Sequence, residues 1–265
     1  MNGIDGYFGD GSMMWRINRE RVVLLAGPAA AVMQVAHPQV ARGVAAHSRF
    51  REDAGGRLMR TLDAVYAVAF GTREEIADVR KRVAAAHAKV RGDAYSAFDP
   101  DAQLWVMATL IQGSISMFRR FIGDLSAEQL DGFLNENRAF GEVFGLPPGC
   151  LPATWPDFES YWNEMTTGNL LGSDPLCGEV ARAVVRPDGP WWLKIASPVI
   201  EELAAGWMGE ALVERLGLQR RSAGVLWPCL DALVPALAPL TPSCLRFCRA
   251  YRRALTRGSI GVRRP

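Results

Sequence analysis

The stretch "FDPDAQLWVMATLIQGSISMFRRFIG", residues 98–123, constrains the fold more than any other part of the chain. Asp99 followed by Pro100 is a helix start: the carboxylate accepts a backbone N–H that the first turn leaves unused, and proline at the first helical position loses no hydrogen bond. From there apolar residues fall on nearly every side rather than in one stripe. Such a helix has no face to offer water and belongs in the middle of a bundle. Elsewhere no run keeps a sustained period-two alternation, so the covering elements must also be helices.

Several segments carry the signals of such helices. "GTREEIADVRKRVAAAHAKVRG" opens on a capping box, Thr72 with Glu75, and is expected to run through Lys89 and Arg91 to a stop at Gly92. "LSAEQLDGFLNENRAFGEVFG" opens on a second box, Ser126 with Gln129. Its stripe of Leu130, Phe133, Leu134, Asn137 and Val143/Phe144 is closed by Gly145. "DFESYWNEMTTGNLL" sets Phe158, Tyr161, Trp162 and Met165 on one face. "SDPLCGEVARAVV" and "SPVIEELAAGWMGEALVERLG" read as further helices, the second bent near Gly206. Prolines 228, 235 and 239 are expected to break Leu226–Leu240 into short pieces. The expected fold is all-α, a single globular bundle of roughly ten helices forming one domain over residues 1–265, with a basic C-terminal tail from about 246.

With 265 residues, 49% of them hydrophobic, the chain can bury a sizeable core. Thirty basic residues against 28 acidic ones give little bulk attraction for nucleic acid, which is not expected as a partner. The end, "RFCRAYRRALTRGSIGVRRP", is different: rich in arginine and free of acids. It reads either as a solvated helix end or as a basic foot that touches a membrane surface or a partner. Five cysteines, Cys150, Cys177, Cys229, Cys244 and Cys248, make no disulfide framework and fit a reducing compartment, so a cytoplasmic protein is expected. Cys244 and Cys248 are spaced to share a helical face, but no further ligands accompany them. The longest apolar run, "VVLLAGPAAAVMQVA", is short for a membrane span and reads as a buried helix. The N-terminus lacks the pattern of a secretory signal.

No H-E-x-x-H, G-x-S-x-G or phosphate loop occurs, so hydrolase and nucleotide readings lack their parts. Attention falls on three histidines, His37, His47 and His87. His87 continues the stripe Ile76, Val79, Val83, Val90 and so points inward. A buried imidazole needs a partner, which a backbone carbonyl or a metal could supply. Alanines 84, 85, 86 and 88 keep the surface around it low, as a planar macrocycle would require, and Arg80 and Arg91 could reach carboxylates at its edge. In "GRLMRTLDAVYAVAF", Arg57, Arg60 and Thr61 fall at i, i+3 and i+4, facing either water or a charged guest. His37, just before Pro38, and His47 bond backbone or line a pocket.

The segments "AHPQVARGVAAHSRF", "RLMRT", "HAKVRG", "DPDAQLWVMATL" and "FGLPPGCLPATWPDF", in that order, resemble the family of MpaB-type oxygenases and rubber oxygenases (latex clearing proteins), all-α enzymes that hold haem b. The similarity runs from residue 6 to 165 and is weaker beyond. It implies non-covalent haem b with His87 as proximal iron ligand, Arg91 beside it, and Arg57, Arg60 and Thr61 on the distal side as the catalytic set; Arg80 is a cofactor contact on its helical spacing alone. Two departures stand out. The rubber oxygenases have lysine where this chain has Arg60, and arginine does not act as a base, although it can donate hydrogen bonds to dioxygen or peroxide. Many relatives read WVHATL where this chain reads "WVMATL", so Met107 replaces a histidine and becomes a residue to pack on the porphyrin or ligate iron. The resemblance implies a haem-dependent oxygenase that acts with dioxygen or peroxide on a hydrophobic substrate, whether prenyl, lipid or natural product. The alternative is a non-catalytic haem or hydrophobic-ligand binder. An electron donor and a peripheral membrane contact are the other candidate partners.

Overall fold

The computed structural model describes residues 6–47, 54–187, 191–219 and 225–261. The chain opens with α1 (Met13–Asn18), a 3-10 segment (Arg21–Ala26), α2 (Gly27–Ala36) and α3 (Pro38–His47). Two longer helices follow, α4 (Ala54–Phe70) and α5 (Arg73–His87), then strands β1 (Arg91–Gly92) and β2 (Tyr95–Ser96). The next helices are α6 (Pro100–Phe121), α7 (Ala127–Phe144), α8 (Trp155–Thr167) and α9 (Pro175–Val185). Last come α10 (Trp191–Trp207), α11 (Glu210–Arg215), α12 (Leu226–Leu237), a 3-10 turn (Ala238–Leu240), α13 (Ser243–Arg246) and α14 (Arg249–Gly261). The fold is all-α, as the periodicities require.

Helix α6 is the central element. Asp99 caps it, its side chain accepting the Ala102 N–H at 2.9 Å. Buried residues lie all round it, among them Trp105, Ala108, Ile111, Ile115 and Phe118. Its neighbours are α1, α2, α7, α12 and the 3-10 segment at 21–26. At Gly113 a Cβ would come within 3.0 Å of the Ala26 methyl, so the absence of a side chain sets the spacing of that contact. Trp105 donates its indole N–H to the Met33 carbonyl at 2.7 Å and stacks on Trp162, with ring centroids 5.3 Å apart. Trp162 in turn meets Trp207, which joins α6, α8 and α10 through one aromatic row. Truncating a ring so buried costs about 3–5 kcal/mol in comparable cores.

The capping boxes form as read, Thr72 with Glu75 and Ser126 with Gln129, and Gly145 ends α7 with φ at 100°. Leu130, Phe133, Leu134, Asn137 and Val143 are buried along α7. A half-buried carboxylate tethers α1 to this helix: Glu136 accepts the N–H groups of Met13 and Met14. Burial pushes the Glu136 carboxyl above its usual range, and those two N–H groups work against the rise.

Four local expectations need correction. Helix α5 stops at His87, and Arg91 lies in a short antiparallel hairpin where Arg91 faces Ser96 and Gly92 faces Tyr95. The Tyr95 ring closes on Gly92 so tightly that a Cβ there would lie 2.6 Å from it, so this glycine serves the hairpin and not a helix stop. The helix expected to bend near Gly206 is two helices, since α10 ends at Trp207 and α11 starts at Glu210. Leu226–Leu237 is continuous despite its prolines: Pro228 sits in the first turn, which has no N–H to lose, and Pro235 lies close to the end. Cys244 and Cys248 share no helical face, because α13 ends at Arg246; Cys244 is exposed and Cys248 buried. The described residues hold fourteen α-helices, several of one or two turns that periodicity does not register.

Candidate functional site

Helices α4 and α5 are joined by Gly71 and Thr72 alone, and they pack on each other as a hairpin. The turn is tight: a Cβ on Gly71 would lie 2.1 Å from the Ala67 carbonyl oxygen. Arg57, Arg60 and Thr61 lie in the first turns of α4, and His87 closes α5. Arg60 and Thr61 are exposed there. Arg57 belongs to the same helix, and its side chain lies outside the described residues.

The stripe along α5 climbs out of the core toward that end. Ile76 and Val79 are fully buried, while Val83, His87 and Val90 are half-buried. Alanines 84, 85, 86 and 88 face solvent and form a low surface beside the ring. The imidazole of His87 meets Phe98 edge-on, with centroids 6.0 Å apart and planes at 78°. Its Nδ1 is buried and has no hydrogen-bond partner. Burial holds the imidazole below its ordinary 6.5, so the ring is neutral at pH 7 and keeps a lone pair for a ligand.

The hairpin segment after His87 gathers the other histidines. His47, at the end of α3, lies 2.8 Å from the Tyr95 hydroxyl through Nε2. Gly43, one turn earlier, sits against Val90 and Tyr95. His37 is buried next to the start of α6, with Nδ1 again unpartnered. Burial lowers its basicity, and the nearby carboxylates of Asp99 and Asp101 oppose that effect. All three histidines thus border residues 87–101, although the sequence spreads them over 51 positions. Sequence reasoning missed Tyr95 and Phe98, which stand between the stop expected at Gly92 and the helix start at Asp99.

The remaining candidates occupy different surroundings. Arg80 is exposed on α5, and Arg91 is exposed on β1. Met107 is buried in α6, packed toward Gly141 of α7. Phe98 touches Gly145, one turn further along α7, so Met107 and the His87–Phe98 pair lie on neighbouring turns of the same helix. Among the described residues no cluster of three or more His, Cys, Asp or Glu is arranged to hold a bare metal ion.

Residues 14–238 match the catalytic domain of the ER-bound oxygenase mpaB/B′ and rubber oxygenase family. The chain belongs to this family. The family's matched domain is described as an oxygenase catalytic domain, and the match takes in every candidate residue named above. Among curated relatives, uncharacterised proteins of Mycobacterium bovis and Mycobacterium tuberculosis are each 31% identical over 149 residues, 52% of this chain. The alignment spans 57% of the length of those relatives. No solved structure matches. Among the described residues of this family member, no helix is long and apolar enough to cross a membrane.

Proposed function

We propose that the protein is a haem b-dependent oxygenase acting on a hydrophobic substrate, with His87 as the residue that would hold the haem iron. The observation that carries the reading is the state of His87: a neutral imidazole on the rim of the core, its buried Nδ1 unpartnered, next to a bare alanine surface. A porphyrin supplies four nitrogens of its own and asks the protein for one strong axial donor, so a single histidine is enough. The residues at this end of the hairpin fit such a group. Haem supplies the electron transfer and dioxygen chemistry, and the chain supplies ligation, orientation and the pocket.

The other residues take roles set by position. Phe98 packs edge-on against His87 and limits rotation of its ring. Arg80 and Arg91 are exposed cations near the ligand helix, suited to carboxylates at a macrocycle edge. Arg57, Arg60 and Thr61, on the preceding helix, are assigned to the distal side as the catalytic set. Arg60 donates hydrogen bonds and polarises the oxidant, dioxygen or peroxide, without taking a proton from substrate. Met107 contributes apolar bulk beneath the site. Insertion of one oxygen atom from dioxygen would also need an external two-electron donor, whereas insertion of both atoms, or use of peroxide, would not.

The test is an absorption spectrum of protein purified with ample haem, oxidised and then reduced under carbon monoxide, followed by oxygen uptake with prenyl and lipid substrates. A Soret band and substrate-dependent uptake are expected. A second reading, a haem or hydrophobe binder without turnover, is favoured by arginine and methionine at positions 60 and 107. Stable haem without turnover under either oxidant would select it.

A further inference from the structure

We infer that the face built by α12, the 3-10 turn at 238–240, α13 and α14 seats the protein on an anionic lipid bilayer. This goes beyond the oxygenase reading and uses none of its residues. Helix α12 has a single charged side chain, Asp231, and Arg120 already pairs with it through two hydrogen bonds. Its outer surface and the turns after it are apolar and open to solvent: Leu233 is 57% exposed, Leu237 53%, Leu240 78% and Leu245 62%. Contiguous exposed leucines on this scale mark a contact surface rather than scattered surface residues.

The next element in the chain supplies the charge. Arg249, Arg252 and Arg253, with Thr256, line a concavity of about 420 Å³ on α14. No acidic residue occurs between Pro242 and Gly261. Arg246 and Arg257 are taken up by Glu20 and Glu75, whereas the three lining arginines have no ion-pair partner among the described residues. Only Phe247 and Cys248 separate α13 from α14, so Leu245 stands four residues before Arg249.

Charge complementarity decides the occupant. A bilayer with anionic headgroups offers both chemistries at once, an acyl boundary for leucine tips and phosphates for guanidinium groups at its rim. A second copy of the chain, meeting this face with its own, would set arginines against arginines. The contact is peripheral, made by side chains on short elements. It is also firmly mounted. Arg246 donates to both oxygens of the buried Glu20 carboxylate at 2.8 and 2.9 Å, and Cys248 N–H donates to the Arg19 carbonyl at 2.9 Å. Arg257 reaches the Phe70 carbonyl at 3.0 Å, which places the far part of α14 at the turn of the α4–α5 hairpin, away from His87. The family match stops at residue 238, so Leu240, Leu245 and the arginines lie beyond the matched catalytic domain.

Co-sedimentation of the full chain with vesicles tests this. The vesicles are phosphatidylcholine alone, or phosphatidylcholine with about a third phosphatidylglycerol, a charge density at which each basic residue near the surface counts. Binding is expected only to the anionic vesicles, and weaker as salt rises. A double variant, Leu240→Asp with Leu245→Asp, and a second, Arg249→Glu with Arg253→Glu, should each reduce it about tenfold or more. All four positions are exposed, and unchanged thermal melting confirms that both variants fold. Absence of binding to anionic vesicles, or binding untouched by both variants, overturns the inference. Self-association that the leucine variant abolishes, without vesicle binding, overturns it in favour of a protein partner.

Discussion

The imidazole of His87 and the ring of Phe98 meet edge-on, 6.0 Å between centroids, just where α5 ends and the β1–β2 hairpin begins. Phe98 is itself partly exposed, so the contact orients His87 more than it supports the core. Phe98→Ala should change unfolding free energy by less than about 1 kcal/mol, as exposed positions do. It should nevertheless speed loss of haem to an acceptor apoprotein several-fold, measured by the decay of the Soret band. An unchanged rate would remove Phe98 from the site.

Buried His37 and half-buried His87 make the haem-free chain sensitive to acid. Burial depresses His37 and His87 below 6.5, so near pH 6 the unfolded chain binds more protons than the folded one. Stability therefore rises with pH: this contribution is complete above the unfolded value and lost as pH falls through the folded values. Surface carboxylates held low, such as Asp174 and Asp231, titrate below about pH 4 and leave that window clear. His37→Gln should flatten the fall in Tm between pH 7.5 and 5, read as the difference from wild type so that Glu136 cancels. Equal slopes would show that His37 does not titrate in the fold as described.

The hairpin turn offers a direct comparison of two stabilising devices. Thr72→Ala removes the cap on Glu75 N–H and should cost about 1 kcal/mol. Gly71→Ala forces a methyl onto the Ala67 carbonyl and should cost more. Urea midpoints of both variants check the order, and a cheaper Gly71→Ala would mean the turn relaxes freely.

Arg60 and Met107 separate reaction from architecture. Arg60→Ala should leave haem bound and slow substrate oxidation, lowering kcat by about tenfold or more for the loss of one donor. Met107→His buries an imidazole where methionine packs toward Gly141, and without a partner it should cost about 1–3 kcal/mol. A variant as stable as wild type with a shifted Soret band would show instead that the imidazole finds a partner in the site.

The helical class, both capping boxes and the central place of α6 were legible because each rests on residues close together in sequence. Asp99–Pro100 and Thr72–Glu75 act within one turn. Less legible were features set by contacts between distant segments. Nothing local says that α5 ends at His87; the Tyr95 ring over Gly92 and the packing of Gly43 on Val90 hold the chain in a hairpin there. For the same reason the gathering of His37, His47 and His87 around residues 87–101 went unread: it depends on how α3 docks against the hairpin. The prolines of α12 misled because their cost depends on position: Pro228 in the first turn has no N–H to lose, while Pro235 lies inside a helix that runs only two residues past it. That Leu233 and Leu237 of α12 lie in solvent depends on which face the fold leaves uncovered, and no local signal states it.

The central claim is that His87 holds the haem. His87→Ala and wild type, expressed with the same haem supply and matched by circular dichroism, are compared by Soret absorbance per polypeptide. The account predicts a wild-type band reduced to a small fraction in the variant, with added imidazole restoring part of it. An identical band in both proteins would contradict it.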